Sequence, residues 1–163
     1  MANLAKIEKY LKQKKIKHKI SDLGGEIYKV EDVIKVGVNP DEILKTLIVR
    51  STVKVALEFK DKYFALVLRG KDRVDFKKVR RLFGGKSELA KPAEVKKVTG
   101  VPIGAVCPIL LDVPIYMDRR AADLKHVNMG SGDLTKELEM DFSDLLLAIG
   151  EYEVKDLASI EPA

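Results

Sequence analysis

The stretch TGVPIGAVCPI, residues 99–109, holds two glycines, two prolines and the only cysteine of the chain. A cysteine acts as a nucleophile when a base takes its proton or its pKa is lowered. The two histidines, His18 and His126, show no spacing that would place either beside Cys107. A free cysteine otherwise packs as a small apolar residue. We therefore expect Cys107 to be buried in a tightly turned wall, and a nucleophile is the less favoured alternative.

Other motifs that could carry chemistry lack a required residue at the required spacing. FGGKSE, residues 83–88, ends in the Gly-Lys-Ser of a phosphate loop, but Arg80 stands where that motif needs its first glycine. MGSGD, residues 129–133, lacks the third glycine of a dinucleotide fingerprint. The chain has no Gly-x-Ser-x-Gly elbow, and two histidines with one cysteine are too few for an obvious zinc site. We therefore expect no nucleotide-binding loop, no serine hydrolase site and no metal site.

Composition favours a soluble globular protein. The chain has 163 residues, of which 46% are apolar and 34% are charged, which is typical of one domain with a buried core. One cysteine excludes an internal disulfide and suits a reducing compartment. Residues 1–15 contain no long apolar run, so we expect neither a signal peptide nor a membrane span. The prediction is a cytoplasmic, single-domain protein over residues 1–163.

Positive charge is concentrated in two segments. The net charge is +5, and basic residues cluster in residues 9–19 and 77–81. These segments are either solvated helix faces or surfaces that contact phosphates, and both interpretations stay open. No aromatic residues alternate with the basic ones, so we do not expect sequence-specific reading of bases.

Periodicity and capping residues predict helices and strands in irregular alternation. The predicted elements are a helix over 3–15, a short helix at Asn39-Pro40, a strand over 45–50, a hairpin of 53–59 and 63–69 around 60–62, a helix from Asp75 to Gly84-Gly85, a helix from Pro92 to about Gly100, strands over 113–117 and 126–129, and a last helix from Asp141 to Gly150. This order lacks the regular βαβ repeat. It predicts a mixed α/β domain, with a mixed sheet surrounded by helices.

Six segments in this order resemble the family of YbaK and prolyl-tRNA synthetase associated editing domains. They are KTLIVR (45–50), FALVLRGKDRVDFKKVRRLFGG (64–85), TGVPIGAVCPI (99–109), VPIYMD (113–118), VNMGSGD (127–133) and DFSDLLLAIG (141–150). The resemblance runs from about Lys6 to Gly150. It implies a compact mixed α/β domain on a strongly curved sheet. It also implies an aminoacyl-tRNA deacylase that hydrolyses the ester of mischarged tRNA without a cofactor or a metal.

The resemblance also implies which residues form the site. Lys45 matches the functional lysine of the family, in a Lys-Thr pair that opens a strand, and would hold a phosphate, a ribose or the ester carbonyl. Without the resemblance, a strand-edge lysine with no function would be the simpler interpretation. The implied substrate-binding residues are Thr46, Gly100, Gly104, Val106, Cys107, Pro108, Gly130, Ser131 and Gly132. Backbone N–H groups around residues 100–108 would stabilise an oxyanion.

Two departures from the family pattern bear on specificity. Ile109-Leu110 follows Pro108 where family members often carry Phe-Gly, and a histidine near Gly130 that is typical of the alanine-specific branch is absent. The resemblance therefore does not imply alanine as the amino acid removed. The implied partners are mischarged tRNA and, second, an aminoacyl-tRNA synthetase, with neither DNA nor membrane. The alternative is a non-catalytic domain of the same fold that binds tRNA or a synthetase.

Overall fold

The computed structural model describes residues 3–159 and builds them into one mixed α/β unit. The described strands are β1 Lys19–Asp22, β2 Leu44–Val55, β3 Glu58–Arg69, β4 Arg73–Val74, β5 Lys86–Leu89, β6 Ile115–Asp118, β7 His126–Gly130, β8 Lys136–Asp141, β9 Glu153–Lys155 and β10 Ala158–Ser159. The described α-helices are α1 Leu4–Gln13, α2 Val30–Lys35, α3 Phe76–Phe83, α4 Pro92–Thr99 and α5 Phe142–Ile149. Short 3₁₀ helices occupy Pro40–Glu42 and Arg119–Asp123. The predicted mixed α/β class is confirmed.

A five-stranded mixed sheet organises these elements. Its strand order is β5–β2–β3–β6–β9, with antiparallel pairing from β5 to β3 and parallel pairing from β3 to β9. A second, antiparallel sheet has the order β1–β8–β7, and β10 pairs with β4 near the carboxyl end. Ile43 forms an isolated parallel bridge with Asn128, which ties the start of β2 to β7.

Both faces of the large sheet are covered, and the sequence of β3 reflects this. All five residues from Phe64 to Leu68 are buried, whereas a strand covered on one face would alternate. Ala65 and Val67 face a core that α1, α5 and the second sheet complete. Phe64, Leu66 and Leu68 face α3 and the carboxyl-terminal segment. Phe64 there packs against the rings of Phe83 and Tyr116, with ring centroids 4.7 and 5.7 Å away.

The helix boundaries follow the capping residues that the sequence predicts. Asn39 accepts a hydrogen bond from the Asp41 N–H, and Asp75 accepts from the N–H groups of Lys77 and Lys78. Helix α4 ends at Gly100, which adopts the left-handed conformation with φ of 81°. The predicted helices at 3–15, 75–83, 92–100 and 141–150 are therefore confirmed within a residue or two.

The predicted hairpin has the wrong turn. Residues 60–62 do not form a link; they lie inside β3, which pairs with β2 along its whole length from Leu44↔Arg69 to Val55↔Glu58. The turn is Ala56-Leu57, where Ala56 takes φ of 57°. Polar residues fit a strand here because this end of the hairpin is exposed on both faces. Asp61 also accepts a hydrogen bond from the Thr52 hydroxyl across the ladder, at 2.8 Å.

A buried aspartate joins the end of β6 to the carboxyl-terminal segment. Asp118 is fully buried, and its Oδ1 accepts hydrogen bonds from the N–H groups of Leu157 (2.8 Å) and Ala158 (3.0 Å). The Arg120 guanidinium lies 3.3 Å from the same carboxylate and also donates to Asp156. One side chain thus satisfies two main-chain donors of the carboxyl-terminal segment, in addition to the pairing of β10 with β4.

We expect Asp118→Ala to destabilise the fold strongly. The substitution leaves two buried N–H groups without an acceptor, at about 1–3 kcal/mol each, so urea unfolding should show a loss of roughly 2–5 kcal/mol. Asp123→Ala is the matched control, because Asp123 is exposed and lies 3.8 Å from Arg69; its effect should stay within about 0.5 kcal/mol. Equal losses in the two variants would contradict this role of Asp118.

Candidate functional site

An interrupted strand edge creates the candidate site. Strand β5 pairs with β2 only from Val49 to Thr52, and beyond it the Ala90 N–H donates to the Ile48 carbonyl at 2.9 Å. At the other end Ile43 bridges to Asn128. Between these points no strand of the described residues 3–159 pairs with the outer edge of β2. A cavity of about 240 Å³ lies against this edge, where residues 44–48 line it.

The walls of the cavity are mostly apolar. They come from β2, from the start of α2, from the residues that precede and form α4, and from the loop at 103–106. The apolar lining residues are Ile27, Val30, Val33, Ile43, Leu44, Leu47, Ile48, Leu89, Ala90, Val95, Ile103, Val106 and Met129. Tyr28, Leu89 and Ile103 are also partly exposed to solvent, so they form the mouth. A small apolar group attached to a larger polar one fits such a cavity.

Two glycines allow the loop at 103–106 to approach its neighbours closely. A Cβ on Gly130 would lie 2.6 Å from the Val106 carbonyl oxygen, and one on Gly104 would lie 2.8 Å from the Tyr28 Cα. Gly104 also has φ of 91°, which L side chains rarely adopt. The Gly132 N–H donates to the Ala105 carbonyl at 2.7 Å and fixes the loop against the end of β7. These glycines therefore set how far the wall stands from β2.

Lys45 lines the cavity, and its ammonium is held by the main chain. Its Nζ donates to the carbonyl oxygens of Gly70, at 3.3 Å, and of Asp72. The Arg69 guanidinium binds the Asp72 carboxylate in a bidentate pair at 2.7 and 3.1 Å, which stabilises the turn that presents these carbonyls. The ammonium is thus a positive charge fixed at the turn of residues 70–72, which follows β3.

Glu137 is a site residue that the sequence analysis missed. It lines the cavity, is 5% exposed, and lies on β8 directly opposite Gly130 of β7. The main chain of Ala105 and Val106 packs against Gly130, so the loop at 103–106 closes over this end of the ladder. Burial, and second the nearby charge of Glu139, raise the pKa of Glu137 from 4.5 to about 8. A cationic group that enters the cavity would favour the ionised form of this carboxyl.

Cys107 lies in the core and not in the cavity. It is fully buried, and burial raises the pKa of its thiol to about 12. A thiol with so high a pKa is almost entirely protonated at neutral pH, and the thiolate is the reactive form. His18 and His126 line a different pocket, together with Glu139, Asp141 and Asp144. The preferred expectation of a buried cysteine in a turned wall is therefore confirmed.

The structure brings together half of the residues that the sequence analysis assigned to the site. Lys45, Thr46, Gly104, Val106 and Gly130 line the cavity. The others do not line it, and their surroundings explain why. Gly100 terminates α4, Cys107 and Pro108 are buried in the wall, the Ser131 hydroxyl donates to the carbonyls of Asp133 and Lys136, and Gly132 binds Ala105. These residues shape the loops behind the lining.

Residues 3–159 contain no group of three or more His, Cys, Asp or Glu side chains placed to hold a metal ion. They also contain no helix with the length and apolar character needed to cross a membrane.

The family of the chain follows from comparison with known sequences. The model of the aminoacyl-tRNA editing domain matches residues 25–147, a segment that includes the whole open edge of β2, the glycine loop and Glu137. The chain therefore belongs to the aminoacyl-tRNA editing domain family.

Individual relatives agree with this assignment. The chain is 28% identical over 104 residues to a proline–tRNA ligase of Caldicellulosiruptor bescii, covering 63% of this chain and 17% of the ligase. It is 31% identical over 100 residues to the uncharacterised protein YwhH of Bacillus subtilis, covering 58% of this chain and 64% of YwhH. The chain thus matches about a sixth of the length of the ligase and less than two thirds of YwhH.

Solved structures share the fold over nearly the whole chain. Hypothetical protein APE2540 superposes with a TM-score of 0.77 at 28% identity, covering 94% of this chain and 99% of that protein. A candidate trans-editing enzyme for prolyl tRNA synthetase superposes with a TM-score of 0.76 at 24% identity, covering 96% of each chain. The second likeness supports the fold alone.

We expect the stability of the protein to report the ionisation of Glu137. The folded protein holds this proton up to about pH 8, while the unfolded chain releases it near 4.5. The free energy of unfolding should therefore fall as pH rises through this window. Glu137→Gln removes this effect. In urea unfolding, the free energy of unfolding of the variant should therefore rise relative to that of the wild type, by up to roughly 1 kcal/mol per pH unit between pH 5 and pH 8.

The control for this measurement is Glu151→Gln, because Glu151 is exposed. The free energy of unfolding of this variant should change with pH as that of the wild type does across the same range. A constant difference between Glu137→Gln and the wild type from pH 5 to pH 8 would mean that Glu137 ionises like an exposed glutamate.

Proposed function

We propose that the chain is a trans-editing aminoacyl-tRNA deacylase, which hydrolyses the ester of mischarged tRNA. One observation carries the proposal: a cavity with apolar walls holds a single buried carboxyl, Glu137, and a fixed cation, Lys45, beside an open strand edge. An aminoacyl ester has a matching set of groups, namely a side chain, an α-ammonium and a carbonyl attached to a polyanion. Membership in the editing family supports the same substrate.

Glu137 binds the α-ammonium of the aminoacyl group. A buried carboxyl with a pKa of about 8 is largely neutral in the empty cavity at pH 7. An ammonium nearby favours its ionised form, so binding releases the proton of Glu137 and forms an ion pair inside apolar walls. The side chain of the amino acid then lies among Ala90, Val95 and Val106, which admit a group of limited size.

The open edge of β2 holds the ester. N–H groups on the outer edge of β2 between Ile43 and Ile48 have no strand partner among the described residues, so they can donate to the carbonyl of the substrate. Water attacks the ester carbon, and N–H donors at this edge stabilise the negative oxygen of the tetrahedral intermediate. One such donor is worth about 3–4 kcal/mol in other enzymes. The bond to the ribose oxygen then breaks, and this oxygen takes the proton from the water, with the neighbouring ribose hydroxyl as the relay.

Lys45 holds the tRNA end close to this edge. A lysine ammonium is a compact charge with three donors, suited to a phosphate or a ribose oxygen. The relatives that are proline–tRNA ligases support a synthetase as the source of the mischarged tRNA and as a second partner. The proposed site of action is the cytoplasm, where translation takes place.

Deacylation of a panel of mischarged tRNAs tests the proposal. Ala-, Cys-, Ser- and Thr-tRNA are each incubated with the wild type and with Lys45→Ala. The wild type should hydrolyse one or two of them, and Lys45→Ala should lower kcat/KM by about 100-fold or more, as expected for one lost oxyanion or anchoring contact. Lys71→Ala is the matched control, since Lys71 lies in the adjacent turn, is half exposed and forms an ion pair with Asp41.

Folding must be followed in the same samples, because Lys45 also binds two main-chain carbonyls. Unfolding curves show whether Lys45→Ala loses activity because a contact with substrate is lost or because the turn at residues 70–72 is destabilised. Full activity in Lys45→Ala would remove this residue from the mechanism. A folded wild type that hydrolyses no member of the panel would overturn the deacylase and leave the non-catalytic binding domain.

N-acetylation of the substrate tests the role of Glu137. An N-acetyl-aminoacyl-tRNA carries the same ester but no ammonium. The wild type should hydrolyse it at least tenfold more slowly than the free-amine form, because the buried carboxylate loses its partner. Glu137→Gln should lose most of this discrimination. If the variant discriminates as strongly as the wild type, Glu137 does not contact the amino group.

A further inference from the structure

Two strands extend beyond their neighbours at the far end of the large sheet. Strand β5 pairs with β2 only as far as Thr52, and β6 pairs with β3 only over Ala65–Val67. Residues 53–62, which we call the hairpin arm, therefore have no strand beside them on either edge within the described chain. The arm turns at Ala56-Leu57 and is exposed along most of its length.

The arm is basic. Lys54, Lys60 and Lys62 are exposed, and none of them has an ion pair among residues 3–159. Its two acidic residues are Glu58 and Asp61, and the Asp61 carboxylate accepts a hydrogen bond from the Thr52 hydroxyl. Lys86, at the start of β5, lies directly across from Thr52 and adds a fourth lysine to the same end of the sheet.

The arm also presents an aromatic ring on the same face as Lys54, while Lys60 and Lys62 lie on the opposite face because side chains alternate along a strand. Phe59 is 74% exposed and lies directly opposite Lys54 in the β2–β3 ladder. Both residues line a shallow groove of about 700 Å³, which Phe83, Gly84-Gly85 and Lys86 complete. Gly85 is required there, because a Cβ at this position would lie 2.6 Å from the Thr52 carbonyl oxygen. A groove that combines lysines with an exposed ring fits RNA, since phosphates bind ammonium groups and bases stack on aromatic rings.

Strand β5 connects this groove to the cavity. Leu89 lines the cavity mouth and Lys86 lines the groove, so the two are three strand residues, or about 10 Å, apart. The tip of the arm is nine residues beyond Ile48, which corresponds to about 30 Å. If the 3′ end of an RNA occupies the cavity, the nucleotides next to it would therefore cross β5. The duplex that adjoins them would then contact the arm.

We propose that the hairpin arm and its groove bind the phosphate backbone of tRNA next to the aminoacylated 3′ end. The proposal rests on the proposed function and adds the surface that distinguishes a tRNA from a free aminoacyl ester. The second basic segment of the sequence, residues 77–81, is a weaker candidate. Lys78 binds Asp156 and the Ala158 carbonyl, and Arg80 donates to the Ser87 carbonyl and stacks on Phe76, so both are partly committed to the fold.

Binding of uncharged tRNA as a function of salt tests the arm without any hydrolysis. The test variant is the triple Lys54→Gln, Lys60→Gln, Lys62→Gln. The matched control is Lys9→Gln, Lys14→Gln, Lys17→Gln, which removes the same charge from exposed lysines at or just beyond α1. Fluorescence anisotropy with labelled tRNA gives the affinity and the slope of log K against log salt.

The arm triple should weaken binding at least tenfold near physiological salt and reduce the steepness of the slope by about 2–3, since each phosphate contact contributes roughly 0.7–0.9. The control triple should change the slope by less than 1. Equal effects of the two triples would overturn the proposal, because only net charge would then matter. An arm triple with unchanged tRNA affinity would also overturn it, and would assign the exposed Leu57 and Phe59 to a protein partner instead.

Deacylation separates this proposal from the proposed function. The arm triple should lower kcat/KM for a full-length mischarged tRNA but leave unchanged that for a short oligonucleotide ester that ends before the duplex. Equal loss on both substrates would contradict a role for the arm in binding the duplex. If the wild type hydrolyses neither substrate, the proposed function fails, while the salt-dependent binding still decides whether the arm holds tRNA.

Discussion

The long β2–β3 ladder is the constraint on which the rest of the molecule depends. Each strand has 12 residues, whereas β5 and β6, which flank them, have four. Main-chain groups on an uncovered edge must find water, side chains or a ligand, because leaving them buried and unpaired is costly. The mismatch in length leaves β2 uncovered on both sides of β5. One uncovered section lines the cavity, and the other belongs to the hairpin arm.

Burial acts on one group that lines the cavity, Glu137, and on one group in the core behind it, Cys107. Cys107 and Glu137 are both shielded from water, and in both cases the charged form is disfavoured. For the thiol the effect is to suppress reactivity. For the carboxyl the neutral form is favoured at pH 7, and a cation that enters the cavity would favour the ionised form. A single environment therefore makes one side chain inert and the other responsive to ligand.

The sequence predicts those parts of the fold in which local chemistry decides. The caps Asn39 and Asp75 and the left-handed Gly100 mark helix ends because each satisfies main-chain groups within a few residues. The turn at Ala56-Leu57 was not predicted because neither residue is typical of turns. Its position is set by the pairing of β2 with β3 over 12 residues. Strands β1, β4, β5, β8, β9 and β10 were missed, since they are short and gain their order from partners distant in sequence.

The site was predictable only in part for the same reason. Lys45 and the glycines of two loops carry a local pattern, whereas Glu137 lies in KELEMD, which has the composition of a solvated strand. Its burial follows from the register that sets it opposite Gly130, and register is a long-range property. A carboxylate facing a glycine across a ladder was the one available signal.

The buried carboxylate of Asp118 links the carboxyl-terminal segment to the end of β6. Leu157 and Ala158 supply the two main-chain donors of this buried carboxylate, and Lys78 and Arg120 both bind the adjacent Asp156. Removing the last few residues, by proteolysis or by truncation after Lys155, would therefore strip partners from a buried anion and separate two cations from their common acceptor. The docking of residues 156–159 is for that reason coupled to the folding of the strand that carries Asp118.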